Sequence, residues 1–307
     1  MTKPYLALGL SGPHLVELTS SAALLERWDL LEVAFTVLGI DRIDGSPPAR
    51  VTLNSSAVGA TLASATKSGR FLITVSPQRD HPYNIARRVA SLAHLSRGRS
   101  GVLVGVRDSY APPGPADAPA WGGAGLGGGA LLNVRTAYDT ARAVRALEQS
   151  WPYDTIIGDR ESGILVQSDR IVHVDIDGSF SIAGPLNAPE PATGASVIAW
   201  YDGAGDELPN RGDDDPIDLM LGKSGDVAMV PLGHNPPVDG VSGVLLRASA
   251  EEPLGELFDA AQRLLEQGFT PIPLGGSLRS ALHLARPTLR TAEARPAFPS
   301  PKPHVAL

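Results

Sequence analysis

The side chains able to do chemistry in this 307-residue chain gather at the ends of short apolar runs. Ser11 and His14 follow LALGL. Leu38 ends the next run. Ser76, Gln78, Arg79, Asp80 and His81 follow FLITV, and Arg107, Asp108, Ser109 and Tyr110 follow VLVGV. Trp200, Tyr201 and Asp202 close VIAWYD, His234 and Asn235 follow VAMVPL, and Arg247 ends GVLLR. These residues spell no self-contained catalytic constellation. The seven histidines (His14, His81, His94, His173, His234, His283, His304) show no pair at metal-ligand spacing. No GxSxG nucleophile elbow is present. The absence of cysteine excludes disulfides, thiolate metal sites and a cysteine nucleophile.

Three local motifs fail on their context. Gly123 to Gly128 fits GxGxxG, but a dinucleotide fingerprint sits in a tight turn between a strand and a helix, and here proline-rich loop precedes it. Gly222-Lys223-Ser224 ends like a P-loop, yet Ile217 stands where the first glycine belongs, so the segment reads as a helix terminus. The acidic run Asp213 to Asp215 reads as a solvated loop capping the helix that follows.

The elements that must position the strand-end residues come from periodicity. Phe71 to Val106 is the clearest unit. A β-branched apolar run, Phe71 to Val75, is followed by the breakers Pro77 and Pro82. Ile85, Val89, Leu92 and Ala93 then recur at helical spacing until Gly98, and Val102 to Val106 is a second buried strand. Two buried strands joined through a helix are parallel with a right-handed crossover. The rest of the chain repeats this unit. Strands are expected at 5–10, 30–37, 71–75, 102–106, 197–201, 227–232 and 243–247. Helices are expected at Ser20 to Trp28, Leu53 to Thr66, Val134 to Gln149, around Ile217 to Leu221 and at Pro253 to Gln267. Seven strands alternating with helices fit either an open doubly wound sheet or a (β/α)8 barrel. Residues 156–186 change to short alternating runs around the hairpin signal Asp177-Gly178, a β excursion within the α/β pattern. Residues 107–132, with four prolines and then a glycine run, read as a long mobile loop. The expected organisation is one domain over residues 1–286 and a Pro-rich, extended and mobile tail over 287–307.

Composition bounds the function. Net charge is −7, which argues against a nucleic-acid partner. No apolar run reaches the roughly 18 residues of a membrane span, and the N-terminal residues lack the pattern of a secretory signal. A cytoplasmic location is the expectation.

Two blocks carry a family resemblance. HPYNIARRVASLAHLSRGRSG (His81 to Gly101) is similar to the ExPYxxARRFASLDHLSxGRxGWN segment of the nitrilotriacetate and dibenzothiophene-sulfone monooxygenases, a branch of the bacterial-luciferase-like flavin enzymes. Asp159 to Gly194 resembles the DRxSGxxxxxxKVHxIDHxGxxFxVxGPLNxPxxPQG segment of the same family, and Gly276 to Pro287 resembles its GTTLREHLGLPRP. The resemblance implies the (β/α)8 barrel. Where the family has a large block with its seventh strand, this chain has only GHNPPVDG between Leu232 and Val241. The seventh βα unit is therefore expected to be deleted and the gap closed by a neighbour, in a homodimer or heterodimer.

The resemblance also implies a function. In the family the barrel mouth binds reduced flavin mononucleotide (FMN) supplied by a separate reductase, and a small organic substrate is oxidised with dioxygen. The deazaflavin F420 is a second possible cofactor. The cofactor-binding positions carried over are Thr74 and Ser76, which match the family. Leu103 replaces a flavin-contacting asparagine, and Arg107 lies in place of a Thr-Ser pair. Tyr201, Asp202 and Gly203 replace the turn that holds the phosphate. Because a carboxylate at Asp202 repels a dianion, Arg107 or Arg79 would have to supply the counter-charge. No catalytic side chain is assigned. A second reading is a degenerate barrel, without catalysis, that serves as a binding or partner subunit.

Overall fold

The computed structural model describes residues 3–111, 130–203, 208, 215–223, 225–287 and 294–302. Its elements are β1 (Tyr5–Leu10), α1 (Gly12–Ser20), α2 (Ala22–Asp29), β2 (Thr36–Leu38), α3 (Ser55–Ala65), β3 (Phe71–Val75), α4 (Pro82–Ser96), β4 (Ser100–Val104), α5 (Val134–Gln149), β5 (Asp175–Ile176), β6 (Ile182–Ala183), β7 (Val197–Asp202), β8 (Leu219–Gly222), β9 (Val227–Pro231), β10 (Gly243–Arg247), α6 (Leu254–Glu266) and α7 (Leu278–Ala281). Eight parallel strands close a barrel in the order β1-β2-β3-β4-β7-β8-β9-β10. β5 and β6 form a separate antiparallel hairpin.

The sequence explains most of these boundaries. α4 starts at Pro82, whose missing N–H costs nothing in the first turn, and His81 Nδ1 accepts from the Tyr83 amide at 3.3 Å. It ends where Arg97 takes a left-handed conformation before Gly98. Ile85, Val89 and Leu92 are buried, which stabilises α4 against the barrel by roughly 5–9 kcal/mol before ordering entropy. Asn54, Asn133 and Ser21 cap α3, α5 and α2 by accepting backbone N–H groups.

Strand alternation divides the core in two. Ala7, Val37, Leu72, Leu103, Ala199, Leu221 and Leu245 fill the barrel interior. Leu8, Ile73, Val104, Trp200 and Leu246 face outward and pack with helix residues such as Ile85, Val144 and Leu257.

The expected gap is corrected by β8. Leu219 to Gly222 is a strand, not the helix expected around Ile217 to Leu221, and it completes the ring within the chain. Leu219 and Leu221 face inward while Met220 packs with the outer core, a period of two. Asp215 leads into this strand rather than capping a helix, its Oδ1 accepting the Ile217 amide at 3.0 Å. Gly222-Lys223 is a strand end rather than a helix terminus; Ser224, Asp213, Asp214 and the glycine run 123–128 lie outside the described residues. Four residues separate β8 from β9, too few to return the chain to the barrel's far end, so β9 starts level with the end of β8 and the two share the single pair Leu221↔Val227. The stretch between Leu232 and Val241 is then the β9 to β10 connection. Among the described residues no helix lies between β7 and β10. A groove of about 830 Å³ runs there between α6 and residues 232–238.

The tail also differs from expectation. Residues 112–129, within the expected mobile loop, lie outside the described residues, but 294–302 are docked. The His173 amide donates to Arg295 O, the Ala297 amide to Ile171 O and Ser168 Oγ to Pro299 O. Prolines leave carbonyls and intervening amides free to pair at an edge, and this segment uses them.

Candidate active site at the barrel mouth

The segment after β2 builds the mouth. Gly39, at φ 76°, turns the chain inward, and the 3-10 turn Ile40–Arg42 follows. Ile40 and Ile43 join the interior core. Ile43 lies where a Cβ on Gly105 would fall, 2.7 Å from its own Cβ, so glycine at 105 permits the close approach. The charged residues of this segment are all engaged. Both Asp41 carboxylate oxygens accept from the Gly12 amide, the first of α1, at 3.1 and 3.0 Å, and Oδ2 also accepts from the Tyr110 hydroxyl at 2.5 Å. Burial and this carboxylate push the Tyr110 phenol up to about 12. The Asp44 side chain is fully buried and pairs with Arg247, while the Asp44 backbone carbonyl accepts from Tyr201 Oη at 3.3 Å. Burial, and then the Asp44 charge, raise the Tyr201 phenol.

Beside this layer the β3 and β4 connections are tied together. The Asp108 amide donates to Gln78 Oε1 at 2.9 Å. Arg42 Nη1 reaches both Asp108 oxygens at 3.0 and 3.3 Å, its guanidinium lies 4.7 Å from the Tyr110 ring centre, and Arg79 approaches the same carboxylate at 3.4 Å. The Ser11 amide donates to His14 Nδ1 at 3.2 Å in the α1 capping box, Ser11 Oγ lies 2.9 Å from the same nitrogen, and His14 Nε2 is 2.8 Å from Glu252 O.

The seven positions carried over from the resemblance are not brought together. Thr74, Leu103 and Tyr201 share the interior side of the barrel, but Leu103 is completely buried and Thr74 Oγ1 donates to Leu38 O at 3.0 Å. Ser76 Oγ donates to Val106 O at 2.9 Å, joining two connections. Arg107 is exposed beyond β4 and Gly203 beyond β7. Asp202 is buried and, by alternation along β7, lies on the outward side with Ile198 and Trp200. With 39–46 in place, a flavin ring does not reach Leu103, and Asp202 does not face the mouth. Those seven residues therefore do not fit the cofactor in the expected pose. What the mouth offers an aromatic, anionic molecule is its rim of Arg42, Gln78, Arg79 and Tyr110. Buried Arg42 Nε has no hydrogen-bond partner among the described residues.

Gln78, Arg79, Asp108, Tyr110 and Arg247 were visible in the sequence as strand-end residues. Asp41, Arg42 and Asp44 were not, since Gly39 to Arg50 read as connection. The usable signal is GIDRIDG itself: two isoleucines three apart make one apolar face of a helical turn, with charges between and a glycine at each end.

The blocks that carry the resemblance are spent on the fold. Arg99 donates to the Ala63, Thr66 and Gly69 carbonyls at 3.2, 2.9 and 2.6 Å and so closes the end of α3. Tyr83 Oη and His94 Nε2 reach the Pro185 and Pro189 carbonyls at 3.3 and 2.9 Å, docking the first block on the second.

No family model matches the chain. Among curated proteins it is 30% identical over 141 residues to a component of the pristinamycin IIA synthase of Streptomyces pristinaespiralis, covering 46% of this chain and 43% of that protein. It is 29% identical over 155 residues to dibenzothiophene-sulfone monooxygenase of Rhodococcus erythropolis, covering 48% of this chain and 32% of that protein. The chain thus matches less than half the length of these relatives. Among solved structures, riboflavin lyase with modified FMN and riboflavin aligns at TM-score 0.58 and 15% identity, covering 95% of this chain and 98% of that one, which shows the fold. The resemblance to luciferase-like monooxygenases and the barrel it implied are both borne out.

Proposed function

We propose that the chain is a luciferase-like flavin-dependent monooxygenase acting on a small organic substrate with dioxygen. The observation that carries this is the sequence match to monooxygenases of this kind on a closed barrel of eight parallel strands. Active sites of such barrels lie at the C-terminal mouth, and here that mouth is polar. Bound reduced flavin supplies the oxidative chemistry. The chain's own share is to hold and orient. Ile40, Ile43 and the Asp44–Arg247 pair close the barrel axis against water from below, and Tyr110, held by Asp41, presents its ring beside Arg42. FMN is the cofactor this reading names, with F420 the alternative. The proposed partners are a separate flavin reductase and a second subunit, identical or different, over the groove between α6 and residues 232–238. Leu232, Val238, Leu246, Leu264 and Phe269 line the groove there.

The test is titration with FMN, reduced FMN and F420, followed by fluorescence quenching and, for reduced FMN, dioxygen uptake with candidate substrates. Binding with substrate-dependent uptake supports the reading. Failure of all three cofactors to bind at physiological concentration refutes it and leaves the non-catalytic binding subunit as the better account. Sedimentation at micromolar concentration checks the second subunit, and a monodisperse monomer argues against a homodimer. Among the described residues no helix is long and apolar enough to cross a membrane.

A further inference from the structure

We propose that Arg79, backed by Arg42 and Asp108, is an oxyanion subsite at the barrel mouth, taking a phosphate or carboxylate group. The flavin reading bears on this only in deciding which molecule carries the anion.

Hydrogen-bond donors exceed acceptors at the rim. Among the described residues Asp108 is the one carboxylate in contact with both guanidiniums, and its oxygens are already occupied. Arg42 Nη1 donates to both, and the Tyr110 amide donates to Oδ1 at 2.9 Å. Arg42 and Asp108 side chains are 7% and 5% exposed, so this is a fixed, desolvated pair. Arg79 adds a second guanidinium at 3.4 Å, with its side chain 40% exposed. Two guanidiniums on one carboxylate leave Arg79 with most of its donors unused.

The neighbouring described carboxylates do not take up those donors. Asp41 faces the Gly12 amide and Tyr110 Oη, Asp44 pairs with Arg247, and Asp80 pairs with Arg88 at 2.7 Å. Arg42 Nε is buried without a hydrogen-bond partner among the described residues, so the pair's donor capacity exceeds its acceptors. Arg79 presents a planar fork of donors, held to Asp108 by one long contact. A fork of this kind matches the geometry of a carboxylate or phosphate. Its stem is held on the β3 connection, where the Arg79 amide donates to Ser76 O at 3.1 Å and Gln78 is bound to the Asp108 amide. The fork is therefore carried on a tied connection at the end of a barrel strand, where these barrels place ligands.

The anion has two sources, a cofactor phosphate or a carboxylate of the substrate, and titrations separate them. Wild type, Arg79→Ala, Arg79→Lys and, as a control, Arg27→Ala, which loses the exposed Arg27–Asp259 pair between α2 and α6, are titrated calorimetrically with sodium phosphate and with sodium succinate against chloride at matched ionic strength. FMN and riboflavin are titrated by fluorescence quenching. Phosphate or succinate should bind wild type and Arg27→Ala alike, weaken at least about tenfold in Arg79→Ala and recover in part in Arg79→Lys. If the anion is the cofactor's, FMN binds about tenfold tighter than riboflavin, and Arg79→Ala removes the difference. If it is the substrate's, FMN and riboflavin bind alike in both proteins while succinate loses affinity in Arg79→Ala. Anion binding without any flavin binding would keep the subsite and refute the flavin reading. No detectable phosphate or succinate binding to wild type, or equal binding by a folded Arg79→Ala checked by circular dichroism, overturns the proposal.

Discussion

Asp218→Asn should be the most damaging single-atom-scale change in the barrel wall. Asp218 stands immediately before β8, and two arginines from distant elements grip it. Arg145 of α5 donates to Oδ2 at 2.6 Å, and Arg279 of α7 donates to Oδ1 and Oδ2 at 2.8 Å each. The Ile198 amide of β7 also donates to Oδ2 at 2.9 Å. Arg145 and Arg279 side chains are 10% and 6% exposed, so removing the carboxylate leaves two desolvated charges without their counter-ion. Breaking a buried pair in this way costs about 3–5 kcal/mol, against a total stability of about 5–15 kcal/mol for a typical domain. With an unfolding entropy near 2.1 cal/mol/K per residue over the chain, Tm should fall by about 5–8 °C. The loss should also be local first. β8 pairs with β7 along its whole length but with β9 at a single position, so the clamp at Asp218 reinforces a strand that is weakly held on one side. Hydrogen exchange at 219–222 should accelerate before the rest of the barrel. Urea unfolding, calorimetry and exchange together check this. A loss under about 1 kcal/mol, or exchange at 219–222 unchanged relative to β3, would refute the reasoning.

Glu148, completely buried on Ser196, has its pKa raised by burial, and Glu190 is raised by burial and then by the Glu148 charge. Because the folded state holds these protons to higher pH than the unfolded chain, their contribution is complete below about pH 4.3 and is lost as pH rises through the folded values. Glu148→Gln should therefore flatten the decline in urea midpoint as pH rises above about 4.3, and an unchanged slope would count against it. Gly105→Ala places a methyl 2.7 Å from Ile43 Cβ and should cost about 1–3 kcal/mol. In a double-mutant cycle with Ile43→Gly, which removes the Cβ itself, a coupling of about 0.5–3 kcal/mol is expected and additivity would refute the contact. Tyr110, pushed up to about 12, should give no phenolate absorbance below about pH 11, whereas an Asp41→Asn variant should titrate it earlier.

How far the fold was legible depends on how local the deciding interactions are. α4 was readable because its start, apolar stripe and stop all lie within residues 81–98, and β1, β3, β7 and β10 because a covered parallel strand is an uninterrupted apolar run. β8 was not. In PIDLMLG, Ile217 and Leu221 are four apart, as on a helix, and Leu219 and Leu221 two apart, as on a strand, and so short a stretch cannot choose between them. The choice is made by Arg145 and Arg279, 73 and 61 residues away from Asp218. The same distance hid the mouth. Arg42 meets Asp108 across 66 residues and Arg247 meets Asp44 across 203, pairings that no local pattern announces.

The mouth also shows why a resemblance transfers fold more readily than chemistry. The matched blocks carry Arg99 on the end of α3 and Tyr83 and His94 on the second block, contacts that any member of this fold needs whatever it binds. The positions that would read out a cofactor are those where the chain departs from the motif: Leu103 is sealed under Ile43, and Asp202 is turned outward. On the proposed reading, ligand specificity rests on residues the motif does not contain. The polar layer of Asp44, Arg247 and Tyr201 sets the floor, and Arg79 with the Arg42–Asp108 pair sets the charge at the rim. A molecule that binds this barrel must meet that floor and that rim, so variants at Arg79 and Ile43 test its function more directly than variants in the matched blocks, which chiefly unfold it.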